Sequence, residues 1–106
     1  MKIYRIEFVA PTPLVATQIL QTWYKKHSVE WYAVDMMLIQ VITDVTYVML
    51  VVNDRLPNAV IRIGELKTMA LTMLQSYFDM DQEYAANVIG FNLRIMEREE
   101  RPVKVG

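Results

Sequence analysis

Cysteine is absent from the 106-residue chain, histidine occurs once and glycine three times. Each scarcity removes a class of chemistry. Without thiols there is no disulfide framework, no thiolate zinc site and no cysteine nucleophile. The glycines stand at 64, 90 and 106 and form no phosphate-cradling loop, so the usual kinds of nucleotide site are not expected. Serine is as rare: Ser28 and Ser76 lie in no G-x-S-x-G turn. Ser28 follows the lone His27, and sequence neighbours do not face each other on a helix.

An excess of one charge is also missing. Eleven basic and twelve acidic side chains give a formal net charge of -1. Nucleic-acid binding draws on clustered cations that displace condensed counterions, so this balance argues against it. Nor is there a long apolar run. The longest, Met36 to Val52, is interrupted by Gln40, Thr43, Asp44 and Thr46. A membrane span needs about 20 apolar residues, and a mid-span aspartate is costly. That stretch therefore reads as a buried hairpin. The opening MKIYRIEF carries charges at positions 2, 5 and 7 and lacks the apolar centre of a signal peptide. The expectation is a cytoplasmic protein with no membrane partner.

What the chain does have is hydrophobic content, 54% by composition, with eight methionines. Its length suits one domain of two packed layers. The boundaries expected are a single domain over 1–98 and a flexible tail over 99–106.

Residues 2–9 alternate, with Tyr4, Ile6 and Phe8 on one face and Ile3, Arg5, Glu7 and Val9 on the other, as in a half-buried strand. Thr12 is a natural N-cap and Pro13 a natural first helical residue. Over 13–27 a helix is expected, with Val15, Ala16, Ile19, Leu20 and Trp23 on one stripe and Lys25, Lys26 and His27 in its last turn. Residues 30–42 and 45–52 read as a hairpin around Thr43-Asp44, although that pair lacks the glycine favoured in primed turns. A second helix is expected over 65–80, with Leu66, Ala70, Met73, Leu74, Tyr77 and Met80 on its apolar stripe. The stretch 59–63 reads equally as the start of that helix or as a short strand. A polar connector over 81–87 leads to a last strand, in which Ile89, Phe91, Leu93 and Ile95 alternate with Gly90, Asn92, Arg94 and Met96.

The order β-α-β-β-α-β is similar to the ferredoxin-like pattern, an α+β fold with a four-stranded antiparallel sheet and both helices on one face. The similarity is one of order and length over about 90 residues, and the fold hosts many functions.

A two-residue turn fixes which side chains share a face. It pairs Ile42 with Val45, Gln40 with Tyr47, Leu38 with Met49 and Met36 with Val51. The opposite face, with Met37, Ile39 and Val41 against Thr46, Val48 and Leu50, is the more uniformly apolar and is expected beneath the helices. The open face then carries Met36, Leu38, Gln40, Tyr47, Met49 and Val51, with Arg5, Glu7 and Arg94 on the outer strands. An apolar group rimmed by charge exceeds what a lone monomeric sheet needs to show to water, and methionine adapts to irregular partners. These nine residues are the candidate partner-binding set. The partner expected is another protein or a second copy, and in the second case Met49→Asp should give a soluble monomer. The plain alternative is that a loop or the C-terminal segment covers the patch.

Other constellations are weaker. His27 and Glu30 have an H-x-x-E spacing without a third ligand, and a histidine ending a helix serves as a dipole partner. Asp79, Asp81 and Glu83 imitate a calcium loop, but Tyr84 replaces its glycine and Gly90 its closing glutamate. No metal and no cofactor are expected. Base stacking on the sheet would need exposed aromatics, and Tyr4 and Phe8 are assigned to the core, which leaves Tyr47. The run Glu97 to Arg101 alternates in sign and reads as a solvated strand end.

The function expected is a non-enzymatic interaction or regulatory module: an adaptor, an assembly subunit or a small inhibitor. One alternative is a small cofactor-free enzyme or apolar-ligand binder of the dimeric α+β barrel type, with His27, Trp31, Tyr32, Arg5 and Tyr47 as pocket candidates. The other is a single-stranded nucleic-acid binder.

Overall fold

Strict alternation makes the first strand two-faced. In the structure, a computed structural model that describes residues 1–78 and 89–97 (side chains as far as Ser76 in the first stretch), β1 runs Lys2–Ala10 and buries every even-numbered residue from Tyr4 to Ala10. Thr12, in extended conformation, then caps helix α1, Pro13–Lys26. Its Oγ1 accepts a hydrogen bond of 3.2 Å from the Val15 amide, an arrangement that stabilises a helix by about 1 kcal/mol. The stripe read from sequence, Val15, Ala16, Ile19, Leu20 and Trp23, is the buried face of α1.

A 3-10 turn over Trp31–Ala33 precedes β2, Val34–Ile42, so the expected strand over 30–42 starts late. Strand β3, Val45–Asn53, returns antiparallel after the two-residue turn. Thr43 takes φ 56° there, the only non-glycine of this turn with positive φ. Positive φ at the first central position alone is the type II′ pattern, which strains a β-branched residue.

Helix α2 spans Ala59–Phe78, which settles the ambiguous 59–63 as helix. Ala59, Ile63, Leu66, Ala70 and Leu74 are its buried positions, a 4-3-4-4 spacing that holds one face inward. Gly64 lies on the outer side, where a Cβ would meet nothing within 4 Å. Strand β4, Asn92–Glu97, is shorter than the alternation from Ile89 suggested. Gly90 has φ 52° and turns the chain before the strand begins, while Ile89 is buried in the core. Phe91 stacks on Phe8 with ring centroids 5.9 Å apart. The connector, the calcium-like acids, Met80 and the tail beyond Glu97 lie outside the described residues.

The sheet order is β2-β3-β1-β4, all neighbours antiparallel, and the fold is α+β with the ferredoxin-like βαββαβ order. Both described helices cover the even face of β1 and β3, and Trp23, Phe8, Ile6, Leu50 and Leu66 are among the fully buried side chains between the layers. No helix among the described residues is long and apolar enough to cross a membrane.

Candidate functional site

Among the described residues the sheet carries no helix on its second face. Register places side chains there in rows that cross all four strands. Met36 lies opposite Val51, Val51 opposite Arg5, and Arg5 opposite Arg94. In the next row Leu38, Met49, Glu7 and Asn92 follow one another, and in a third Gln40, Tyr47 and Val9. All nine residues proposed from sequence therefore share this face. Its β2 and β3 half is apolar and its β1 and β4 half is polar.

Arg5, Glu7 and Tyr47 tie the halves together. Arg5 and Arg94 are direct cross-strand neighbours of like charge, a juxtaposition that costs stability. Glu7 offsets it: its Oε1 lies 2.6 Å from Arg5 Nε. The Tyr47 hydroxyl hydrogen-bonds the Arg5 guanidinium, and this contact first, then the Glu7 charge, raises the Arg5 pKa above its ordinary value. Tyr47 thereby belongs to the polar rim rather than standing free as a stacking platform. Tyr4 and Phe8, the other aromatics needed for base stacking, are sealed beneath the helices.

The apolar half is open to solvent at its outer strand. Met36 is 53% exposed and Leu38 39%, while Tyr47, Met49 and Val51 are half-buried between their neighbours.

Polar contacts elsewhere concern the helices and loops. The Trp23 indole Nε1 donates to the Arg62 carbonyl at 2.8 Å. Arg62 in turn donates from Nε to the Pro57 carbonyl and from Nη1 to the His27 carbonyl. His27 Nε2 meets Glu65 Oε2 at 2.6 Å, so the histidine pairs with α2 and not with Glu30. Asn53 is buried and donates to Asp35 Oδ1 at 2.9 Å and to the Tyr32 carbonyl at 3.3 Å, while its Oδ1 accepts from the Arg55 amide. Sequence reasoning overlooked Arg62, Glu65 and Asn53. Only Asn53 left a signal, the turn-forming N-D-R-L-P-N stretch.

Two concavities adjoin these contacts. A pocket of about 130 Å³ is lined by His27, Ser28, Glu30, Tyr32, Arg55 and Arg62, among others. A wider cleft of about 410 Å³ lies at the start of α2, between Tyr4, Asp54 and Ile61. In the smaller one the Arg62 guanidinium and the His27 imidazole are both engaged with protein groups. The five pocket candidates from sequence fall in separate places: His27 and Tyr32 both line the smaller concavity, and Arg5 and Tyr47 do not. Arg5 and Tyr47 are on the open face and His27 caps α1. Trp31 and Tyr32 sit in the 3-10 turn, both exposed, ahead of the strand expected over 30–42. Among the described residues no group of three or more His, Cys, Asp or Glu side chains could hold a metal ion.

No family model and no curated protein matches the chain. Among solved structures, a formyltetrahydrofolate deformylase from Pseudomonas putida KT2440 is similar at a TM-score of 0.44 and 10% identity, over 94% of this chain and 30% of that one. The chain thus spans less than a third of that protein's length, and a likeness of this degree carries no argument about activity.

Proposed function

We propose that the chain is a non-enzymatic interaction or regulatory module that docks protein on its open sheet face. The observation that carries this reading is the graded face itself: exposed Met36 and Leu38 beside Met49 and Val51, bordered by the Arg5, Glu7 and Arg94 charges. Interfaces have this anatomy, an apolar centre that excludes water and a polar rim that fixes orientation. The two methionines among these residues, Met36 and Met49, suit a surface that adapts to its occupant. His27 and Tyr32 share the small pocket, but Arg5 and Tyr47 lie apart from it on the open face, so the five candidates do not converge as a catalytic set would.

Photocrosslinking tests the reading in cells. With p-benzoylphenylalanine in place of Tyr47, a discrete protein adduct is expected. The same probe at Gln18, exposed on α1, should not give that adduct. Identical adducts from both positions, or none from Tyr47, would rule out docking on this face.

A further inference from the structure

Thirteen large hydrophobic side chains are exposed among the described residues, and eight of them fall between Trp31 and Val45. The centre of that stretch is β2, the end strand of the sheet, which among the described residues is paired on one side only. It is bare on both faces. Met36 and Leu38 are exposed on the open face, and Met37 and Val41, on the helix side, are 51% and 59% exposed. From Met36 to Ile42 it holds no charge and no proline. Sheet edges are ordinarily blunted by lysine, proline, a bulge or a cover, because their unpaired amides and carbonyls template another strand. The bulge of β2 lies ahead of this segment, between Val34 and Met36. Seven uncharged residues are thus left as a straight, unguarded edge.

We infer that a second copy of this chain pairs its β2 antiparallel with this one across a two-fold axis, joining both sheets into a single sheet of eight strands. Two identical strands pair antiparallel only by such an axis, and the contact closes on itself without leaving a further edge of the same kind. Charge permits it. With the axis at Leu38, Asp35 comes opposite Val41, and with the axis at Ile39 it comes opposite Thr43, so no acid meets an acid. An axis perpendicular to the sheet keeps the helices of both copies on one side. Met37 and Val41 of each copy then fill the seam beside Tyr24, whose hydroxyl already contacts Met37 Sδ at 3.5 Å. The strip is about 30 Å long and about 20 Å deep, one sheet and one helix thick. That is about 600 Å² per copy, the lower bound for a stable interface. This pairing uses an edge, not the open face, and stands whether or not the face has a partner.

The hairpin register selects the variants. Ile42 and Val45 flank a two-residue turn, so Met36, Leu38, Gln40 and Ile42 bond to β3, while Met37, Ile39 and Val41 turn their amides outward. Val41→Pro removes an outward donor and no bond to β3. Val41→Lys places a charge at the seam. By sedimentation velocity the wild type is expected at twice the 12.4 kDa of one chain. Both Val41 variants, with circular dichroism unchanged, should sediment as monomers, and Met49→Asp on the open face should remain dimeric. If the proline variant unfolds, the lysine variant decides alone. A monomeric wild type at every concentration overturns the pairing. So does a dimer that survives at Val41 but dissociates with Met49→Asp, and that result would leave the open-face reading standing.

Discussion

The guanidinium of Arg5 is held by Glu7, two residues along the same face of β1, with Nε and Oε1 2.6 Å apart. That one carboxylate pairs with Arg5, whose cross-strand neighbour is Arg94, and leaves the polar half of the open face nearly balanced. Glu7→Lys is expected to turn that half wholly cationic. Circular dichroism should still show a folded chain, since a single partly exposed ion pair contributes little to stability. The crosslinked adduct from Tyr47 should be lost. An unchanged adduct yield would show that the rim takes no part in docking.

Asn53 joins three segments through one side chain: the Asp35 carboxylate, the Tyr32 carbonyl and the Arg55 amide. Removing a buried amide that satisfies such groups costs about 1–3 kcal/mol. Asn53→Ala should therefore lower the urea midpoint with an unchanged m-value. Asn53→Asp should be worse at neutral pH, because it sets a second carboxylate against Asp35. A midpoint equal to wild type in both variants would contradict the role given to Asn53.

Thr46 faces the helical layer, 1% exposed, and its Oγ1 has no hydrogen-bond partner among the described residues. The three other buried atoms without a hydrogen bond, on Arg5, His27 and Glu65, lie in the close Arg5–Glu7 and His27–Glu65 contacts, so among the described residues Thr46 alone carries an uncompensated desolvation cost. Thr46→Val keeps the shape and removes the hydroxyl. A stabilisation of about 1 kcal/mol is expected, read as a rise in melting temperature. A fall would mean that the hydroxyl is satisfied in solution.

Burial raises the phenol pKa of Tyr24 above its ordinary value. The unfolded chain ionises this group near pH 10, while the folded chain holds its proton longer. Above about pH 10 the folded state binds more protons than the unfolded one, so stability falls as pH rises. Below that range Tyr24 adds no pH dependence. The melting temperature should decline beyond pH 10 less steeply in Tyr24→Phe than in wild type. Parallel slopes would exclude the linkage.

Much of the fold was legible because it rests on local rules. Thr12 and Pro13 mark the start of α1 by the chemistry of their own side chains, and the turn at Thr43-Asp44 carries the parity of both hairpin strands with it. That parity is why the six hairpin residues of the open face could be grouped without coordinates, and the alternation of β1 and β4 adds Arg5, Glu7 and Arg94. Reading failed where distant contacts decide. Ala59 to Ile63 looks β-branched in isolation, yet Ala59 and Ile63 continue the inward spacing of Leu66 and Ala70, and packing beneath α1 and the sheet outweighs propensity. Ile89 and Phe91 alternate like strand residues, but Gly90 at φ 52° breaks the strand between them. Arg62 and Asn53 bond to groups 35 and 18 residues away, a relationship that no local pattern encodes.

The irregular step at Asp35 has a consequence for how this chain tolerates change in length. Val34 pairs with Val52 and packs inward, whereas Met36, two positions on, pairs with Val51 and points outward. One surplus residue absorbs the switch of sides. Insertions or deletions upstream of it can be taken up at the same kink, whereas removal of a single residue between Leu38 and Ile42 would rotate the rest of the strand by half a turn and bury what is now displayed.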